Sequence, residues 1–187
     1  MARVFLINPP SPEPVRTPLL SFCHLAAALR AGGHEVALLD ASAPHAPHDE
    51  PEIAARVRAF APDLVGLHLK TLHIQPAYAL AAALADWPLV AGGPHATIVP
   101  DEPLGHGFRW VIRGEGEDAL VELADVIDGR RAATDVAGLS WIERGMVRHN
   151  PARPFLTELD RLASPLSALD LFDPSWYDGR PAIGERL

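Results

Sequence analysis

Cysteine is almost absent from this chain: its 187 residues include one, Cys23. A lone thiol excludes an internal disulfide framework. It equally excludes an iron–sulfur cluster held by the chain's own cysteines. Basic charge is scarce as well, with 16 Lys and Arg against 24 Asp and Glu, for a net charge of -8. Nucleic acid is therefore not an expected partner, because phosphate binding needs a basic face. The acidic residues form no long run and read as solubility. No stretch reaches the roughly 18 apolar residues that cross a bilayer, so neither a transmembrane helix nor a membrane partner is expected. The first residues, MARVFLINPP, meet proline too soon for a signal peptide, and a cytoplasmic location is the default expectation. What is plentiful is hydrophobic residues, at 48%. That supplies a core for one domain with an appendage.

Short apolar runs alternate with helical spacing over the first two thirds. Arg3–Asn8, Glu35–Asp40, Asp63–Leu69, Pro88–Gly93 and Trp110–Gly114 read as strands. Pro18–Ala31, Pro51–Phe60, Pro76–Asp86 and Asp118–Asp128 read as helices, the first closed by Gly32-Gly33. Strands that are continuously apolar are buried on both faces, and helices between them make right-handed parallel crossovers. The expected fold class is α/β: a doubly wound, mainly parallel five-stranded sheet, flavodoxin-like or Rossmann-like, in the order 2-1-3-4-5. A C-terminal β-hairpin should follow, and after it a linker or docking segment. Gly138–Ile142 and Met146–His149 flank the hairpin turn, and prolines recur from Pro151 to Pro181. A short helical piece is expected near 159–169. The division expected is an α/β domain over 1–133, a hairpin appendage over 134–150, and a Pro-rich linker over 151–187.

Open parallel sheets bind ligands beyond the carboxyl ends of their strands. The residues there are Asn8, Pro9 and Pro10 after the first strand and Thr71 and Leu72 after the third. Gly92, Gly93, Pro94 and His95 follow the fourth, and Gly114, Glu115 and Gly116 the fifth. Two glycine-bearing tips, GGPHAT and RGEGED, thus follow adjacent strands. Either alone suits a tight strand-to-helix turn. Together they suggest a broad, flat ligand approached closely by backbone. His95 is a candidate cofactor contact.

The pieces RVFLINPPSP, HLAAALRAGGHEVALLD, PDLVGLHL, AGGPHATIVPDEPL, WVIRGEGEDALVEL and GLSWIERGMVRHNPAR together resemble the N-terminal cobalamin-binding domain of cobalamin-dependent radical S-adenosylmethionine enzymes. The resemblance runs from about residue 3 to about residue 172, and GGPHAT followed by RGEGE is its specific part. It implies that Gly92-Gly93 passes close to the cobalamin nucleotide tail, with Gly114–Gly116 flanking the tail from the far side. Asn8, Pro9 and Pro10 would lie under or beside the corrin. Thr71 and Leu72 would take the place of a Ser-x-Leu-like loop, an inexact match.

Two departures shape the expected function. The Asp-x-His-x-x-Gly motif, whose histidine ligates cobalt from below, is absent, and no histidine lies between Arg3 and Phe22. The resemblance implies cobalamin bound base-off, as is common in these radical enzymes, and the missing motif implies no histidine lower ligand and no metal ligand from this chain; metal binding enters only as the cofactor's cobalt. His68 and His73 are placed to reach the lower face, but a strand or loop histidine is more often a hydrogen-bonded structural residue. The Cys-x-x-x-Cys-x-x-Cys motif is absent too. The [4Fe–4S] cluster and S-adenosylmethionine would belong to a missing or partner domain, a radical barrel acting in cis or in trans. The expected role is a cofactor module, not itself catalytic, for a radical S-adenosylmethionine enzyme such as a methyltransferase. The alternatives are a non-catalytic cobalamin carrier or sensor acting through a protein partner, and an α/β interaction domain that has lost its ligand.

Other ligands fit less well. A phosphoacceptor receiver needs an aspartate ending the third strand, where Leu69-Lys70 stands. A nicotinamide site needs Gly-x-Gly-x-x-Gly after the first strand, which is proline-rich here. A flavodoxin phosphate loop needs hydroxyls there, and only Ser11 is available. His45 and His48 read as a solvated loop, and Glu117 and Asp118 as first-turn helix charges.

Overall fold

A computed structural model describes residues 1–14 and 16–177 of the chain. Its centre is a seven-stranded sheet. The strands are β1 (Arg3–Asn8), β2 (Glu35–Asp40), β3 (Leu64–His68), β4 (Leu89–Gly92), β5 (Trp110–Ile112), β6 (Leu139–Glu143) and β7 (Met146–His149). The first five run parallel in the expected order, β2-β1-β3-β4-β5. Val4, Phe5, Leu6 and Ile7 in β1, and Leu64, Val65 and Leu67 in β3, are buried, as strands covered on both faces must be.

Six helices connect or follow these strands: α1 (Leu20–Ala31), α2 (Glu50–Phe60), α3 (Ile74–Ala83), α4 (Pro94–Ile98), α5 (Asp101–Gly105) and α6 (Glu117–Ile127). Local chemistry sets several ends. Asp49 caps α2 by accepting from the Glu52 N–H at 2.8 Å, with Pro51 in the first turn. Gly33, at φ +79, turns the chain out of α1. α1 buries Phe22, Cys23, Ala26, Ala27 and Leu29. Burial raises the Cys23 thiol pKa, and the residue behaves as a small hydrophobe.

Three features were not foreseen. The stretch between β4 and β5, assigned no helix from the sequence, holds the short helices α4 and α5. The sheet has seven strands where five were expected, because the hairpin joins it. β6 pairs antiparallel with β5, placing Trp141 opposite Trp110, and β7 pairs with β6. Arg144 and Gly145, both at positive φ, make the two-residue turn between them. Finally, the proline-rich tail docks on this domain itself through the 3₁₀ turns Leu159–Arg161, Pro165–Leu171 and Pro174–Trp176, the first two standing where a short helical piece was expected. It buries Ala168, Phe172, Trp176 and Tyr177. Arg30 of α1 grips Asp170 through two bonds of 2.7 and 2.8 Å and also donates to the Ser167 carbonyl. The remaining expected linker, 178–187 with Pro181, lies outside the described residues.

Candidate functional site

A cavity of about 210 Å³ opens at the carboxyl ends of the central strands, between the sheet and helices α1 and α6. Its floor is Leu6 of β1, Gly66 and His68 of β3, Val90 and Gly92 of β4, and Ile112 of β5. Its walls are Phe22 and Leu25 of α1 and Leu120 of α6. Both glycine tips form its rim, contributing Gly92-Gly93 and Gly114–Glu115–Gly116–Glu117. The lining is mostly apolar, and the volume is smaller than the about 300–1,000 Å³ of a complete small-molecule pocket. It suits one apolar arm of a larger ligand whose body lies outside.

The two tips are one unit. The Thr97 hydroxyl donates to the Gly93 carbonyl at 3.0 Å and accepts from the Gly114 N–H at 3.0 Å. Their glycines nevertheless differ in kind. Gly93 sits at φ 96, ψ -178, a region that is essentially glycine-only, and a Cβ there would come within 2.9 Å of the Leu69 carbonyl. The turn itself demands this glycine. Gly92 is under no such demand: an added Cβ meets nothing within 4 Å. It borders the cavity with its space open, as close approach by a ligand requires.

The remaining expected residues divide into two groups. Asn8, Pro9 and Pro10 line a small recess with Ser42, Lys70 and His73. His68 lines both this recess and the main cavity, so the two adjoin. Asn8 is also fixed from behind. Its amide donates to buried Asp40 at 2.7 Å, and the Tyr177 hydroxyl donates to the other Asp40 oxygen at 2.9 Å. Burial pushes the Asp40 carboxyl pKa up against these hydrogen bonds, and pushes the Tyr177 hydroxyl up as well. Ser42 ties the first loop by donating to the Pro9 carbonyl at 2.6 Å.

Thr71, Leu72, Pro94 and His95 line neither space. Leu72 is 90% exposed. His95 is buried, with its ring nitrogens beside the Thr71 and Tyr78 hydroxyls, at 3.1 and 3.3 Å. It holds α4 against α3.

Of the two histidines that the sequence places toward the lower face, His68 is the one that borders the main cavity. It packs edge-on against Phe22 and, through burial and the charge of Lys70, its pKa is lowered to about 4. It therefore presents a neutral ring at physiological pH. Its place in the cavity floor follows from the alternation of strand faces: Gly66 and His68 on β3, like Val90 and Gly92 on β4, are two apart and share a face. Among the described residues no group of three or more His, Cys, Asp or Glu is placed to hold a metal ion. None of the described helices is long and apolar enough to cross a membrane.

An open parallel sheet with an apolar cleft at its carboxyl edge, rimmed by two joined glycine tips, defines a ligand-binding α/β domain. Comparison with known proteins is specific about which. The B12 binding domain family matches residues 15–124, and the chain belongs to that family. It is 30% identical over 193 residues to the "Uncharacterized methyltransferase PH0819" of Pyrococcus horikoshii, a match covering 96% of this chain and 41% of that protein. It is 29% identical over 151 residues to the anaerobic magnesium-protoporphyrin IX monomethyl ester cyclase of Rubrivivax gelatinosus, covering 74% of this chain and 27% of the relative. The chain thus spans less than half of either relative.

Two solved structures share the fold. The cobalamin-dependent S-adenosylmethionine radical enzyme OxsB, with aqua-cobalamin and S-adenosylmethionine bound, superposes with a TM-score of 0.73 at 20% identity, over 83% of this chain and 23% of that one. The radical S-adenosylmethionine methyltransferase TsrM of Kitasatospora setae, with cobalamin and a [4Fe-4S] cluster bound, gives 0.65 at 22% identity, over 86% and 30%. Cobalamin binding is the property that family membership supports.

Proposed function

We propose that this chain binds cobalamin base-off, with the displaced nucleotide tail in the cleft between the sheet and helices α1 and α6, and serves as the cofactor module of a radical S-adenosylmethionine enzyme such as a methyltransferase. The observation that carries this reading is Gly92. It lines an apolar cleft, and nothing in the fold around it requires a glycine. The cleft fits the tail in kind, since a flat heterocycle matches walls made of Phe22, Leu25 and Leu120. Gly92-Gly93 and Gly114–Gly116 would border the tail. Asn8, Pro9 and Pro10, held by Asp40 and Ser42, would border the corrin. Cobalt chemistry is what the cofactor supplies when bound; this chain's residues bind it, orient it and shield one of its arms from water. His68 and His73 stand near the first loop, and no cobalt bond is assigned to either.

The radical barrel would act in cis or in trans and would bring the cluster and S-adenosylmethionine. Leu72, 90% exposed in the 3₁₀ turn Thr71–His73, and Ile98, 75% exposed at the end of α4, offer apolar surface beside the site for such a domain. A carrier or sensor working through another partner would use the same cleft. The test is direct: protein mixed with hydroxocobalamin and desalted should retain colour with a base-off spectrum. Loss of all colour would end both readings, and a base-on spectrum would end the placement of the tail.

A further inference from the structure

The returning C-terminal tail does more than cover apolar surface. It grips the loop after β2 at two points. The His45 N–H donates to the Trp176 carbonyl at 3.0 Å, and the Tyr177 hydroxyl donates to Asp40 Oδ2 at 2.9 Å. Asp40 ends β2 and is fully buried. Its other oxygen, Oδ1, accepts from the Asn8 amide at 2.7 Å and from the Ser42 N–H at 3.3 Å. Ser42 in turn donates through its hydroxyl to the Pro9 carbonyl at 2.6 Å. One carboxylate thus fixes the start of the first loop, Asn8 directly and Pro9 through Ser42, while its second oxygen is held by the tail.

An ionised carboxylate only accepts hydrogen bonds. Asn8 must therefore turn its NH2 end to Asp40, and the Asp40 charge decides which way round that amide sits. Burial works against the charge; the Asn8, Tyr177 and Ser42 donors and the positive charge of Lys70 sustain it. Removing the Tyr177 hydroxyl strips a donor that a buried oxygen does not readily recover from water.

We infer that Tyr177 is a positioning residue for the corrinoid, holding Asp40 so that the Asn8 amide is set in its place beside the corrin. This rests on the proposed placement of the corrin against the first loop. Coupling of this kind is reciprocal. A docked tail that strengthens corrinoid binding is itself held down by bound corrinoid, by the same factor. The tail thereby responds to whether the cofactor is present.

The experiment is equilibrium dialysis against hydroxocobalamin of the wild type, Tyr177→Phe, Asn8→Ala and the double variant, well below every melting temperature. The Kd should rise about fivefold in Tyr177→Phe, the worth of roughly one hydrogen bond. In the Asn8→Ala background the same substitution should change the Kd by about twofold or less, because the residue through which Tyr177 acts is gone. An unchanged Kd in Tyr177→Phe overturns the inference. So do losses that multiply across the two variants, the mark of independent packing effects. The His45 amide, bonded to Trp176, gives a second reading, since its exchange measured by NMR reports local release of the tail. Saturating hydroxocobalamin should slow that exchange about fivefold in the wild type and leave it unchanged in Asn8→Ala. Equal slowing in both would mark general stabilisation by ligand and overturn the coupling. Should the double variant fail to fold, this comparison decides. A wild type that binds no hydroxocobalamin overturns the proposed function and this inference with it, whereas failure confined to the variants leaves that function standing.

Discussion

Two neighbouring glycines differ in whether the fold itself requires them. Gly93→Ala forces a side chain into a glycine-only conformation and against the Leu69 carbonyl, and should cost about 1–3 kcal/mol of stability, read as a lower urea midpoint. Gly92→Phe should leave that midpoint within about 0.5 kcal/mol of the wild type, because its Cβ meets nothing within 4 Å and its ring has the empty cleft beside it. It should nevertheless abolish retention of hydroxocobalamin. A Gly92→Phe protein that still holds colour would remove the cleft from the site. His68 gives a pH dependence at the same scale. Its folded pKa of about 4 lies below the ordinary 6.5, so the unfolded chain binds more protons between these values. Stability is then fully present above about pH 6.5 and falls as the pH drops toward 4, by up to about 3 kcal/mol. Urea unfolding at several pH values should show this slope, and His68→Gln should flatten it. An unchanged slope would mean that other groups dominate the acid response.

The elements were legible in proportion to how far they depend on local pattern. Continuous apolar runs such as RVFLIN and DLVGLHL announced buried parallel strands, and the α6 spacing of Leu120, Leu123 and Ala124 announced its buried face. The hairpin was legible as a hairpin, but its pairing with β5 was not, since that depends on which sheet edge is free once five strands have assembled. α4 and α5 were missed because each is only five residues long, set among prolines and glycines that read as a loop. They matter, for α4 carries Thr97, which fastens the two glycine tips together. The tail was opaque for another reason: its proline spacing gives no periodicity, and its hold on the domain comes from contacts distant in sequence. Tyr177→Phe tests that hold. It strips a donor from buried Asp40 and should cost about 1–3 kcal/mol at neutral pH. The sign with pH is fixed. The Tyr177 bond lowers the Asp40 pKa against the upward pull of burial, so removing it raises that pKa further. The variant's deficit should therefore grow as the pH rises from below 4 toward neutrality. A deficit that is flat with pH would mean that the lost hydroxyl acts through packing and not through the Asp40 charge.

At the scale of the whole molecule, the proposed site is a seam between parts distant in sequence. The cleft has β1, β3, β4 and β5 on one side and helices α1 and α6 on the other, and α6 is tied to the returning tail through Arg161 and Arg153 on Asp118. Filling that seam with an apolar arm adds contacts that only the folded state can make, so ligand binding must appear as global stabilisation. At about a hundredfold excess over Kd the gain is about 2.7 kcal/mol, which for a chain of this size raises the melting temperature by roughly 5–10 °C. Hydroxocobalamin should produce this shift in the wild type and none in Gly92→Phe. Retained colour without any shift would place the cofactor on a surface that unfolding does not disturb, which is incompatible with an arm held between the sheet and its helices.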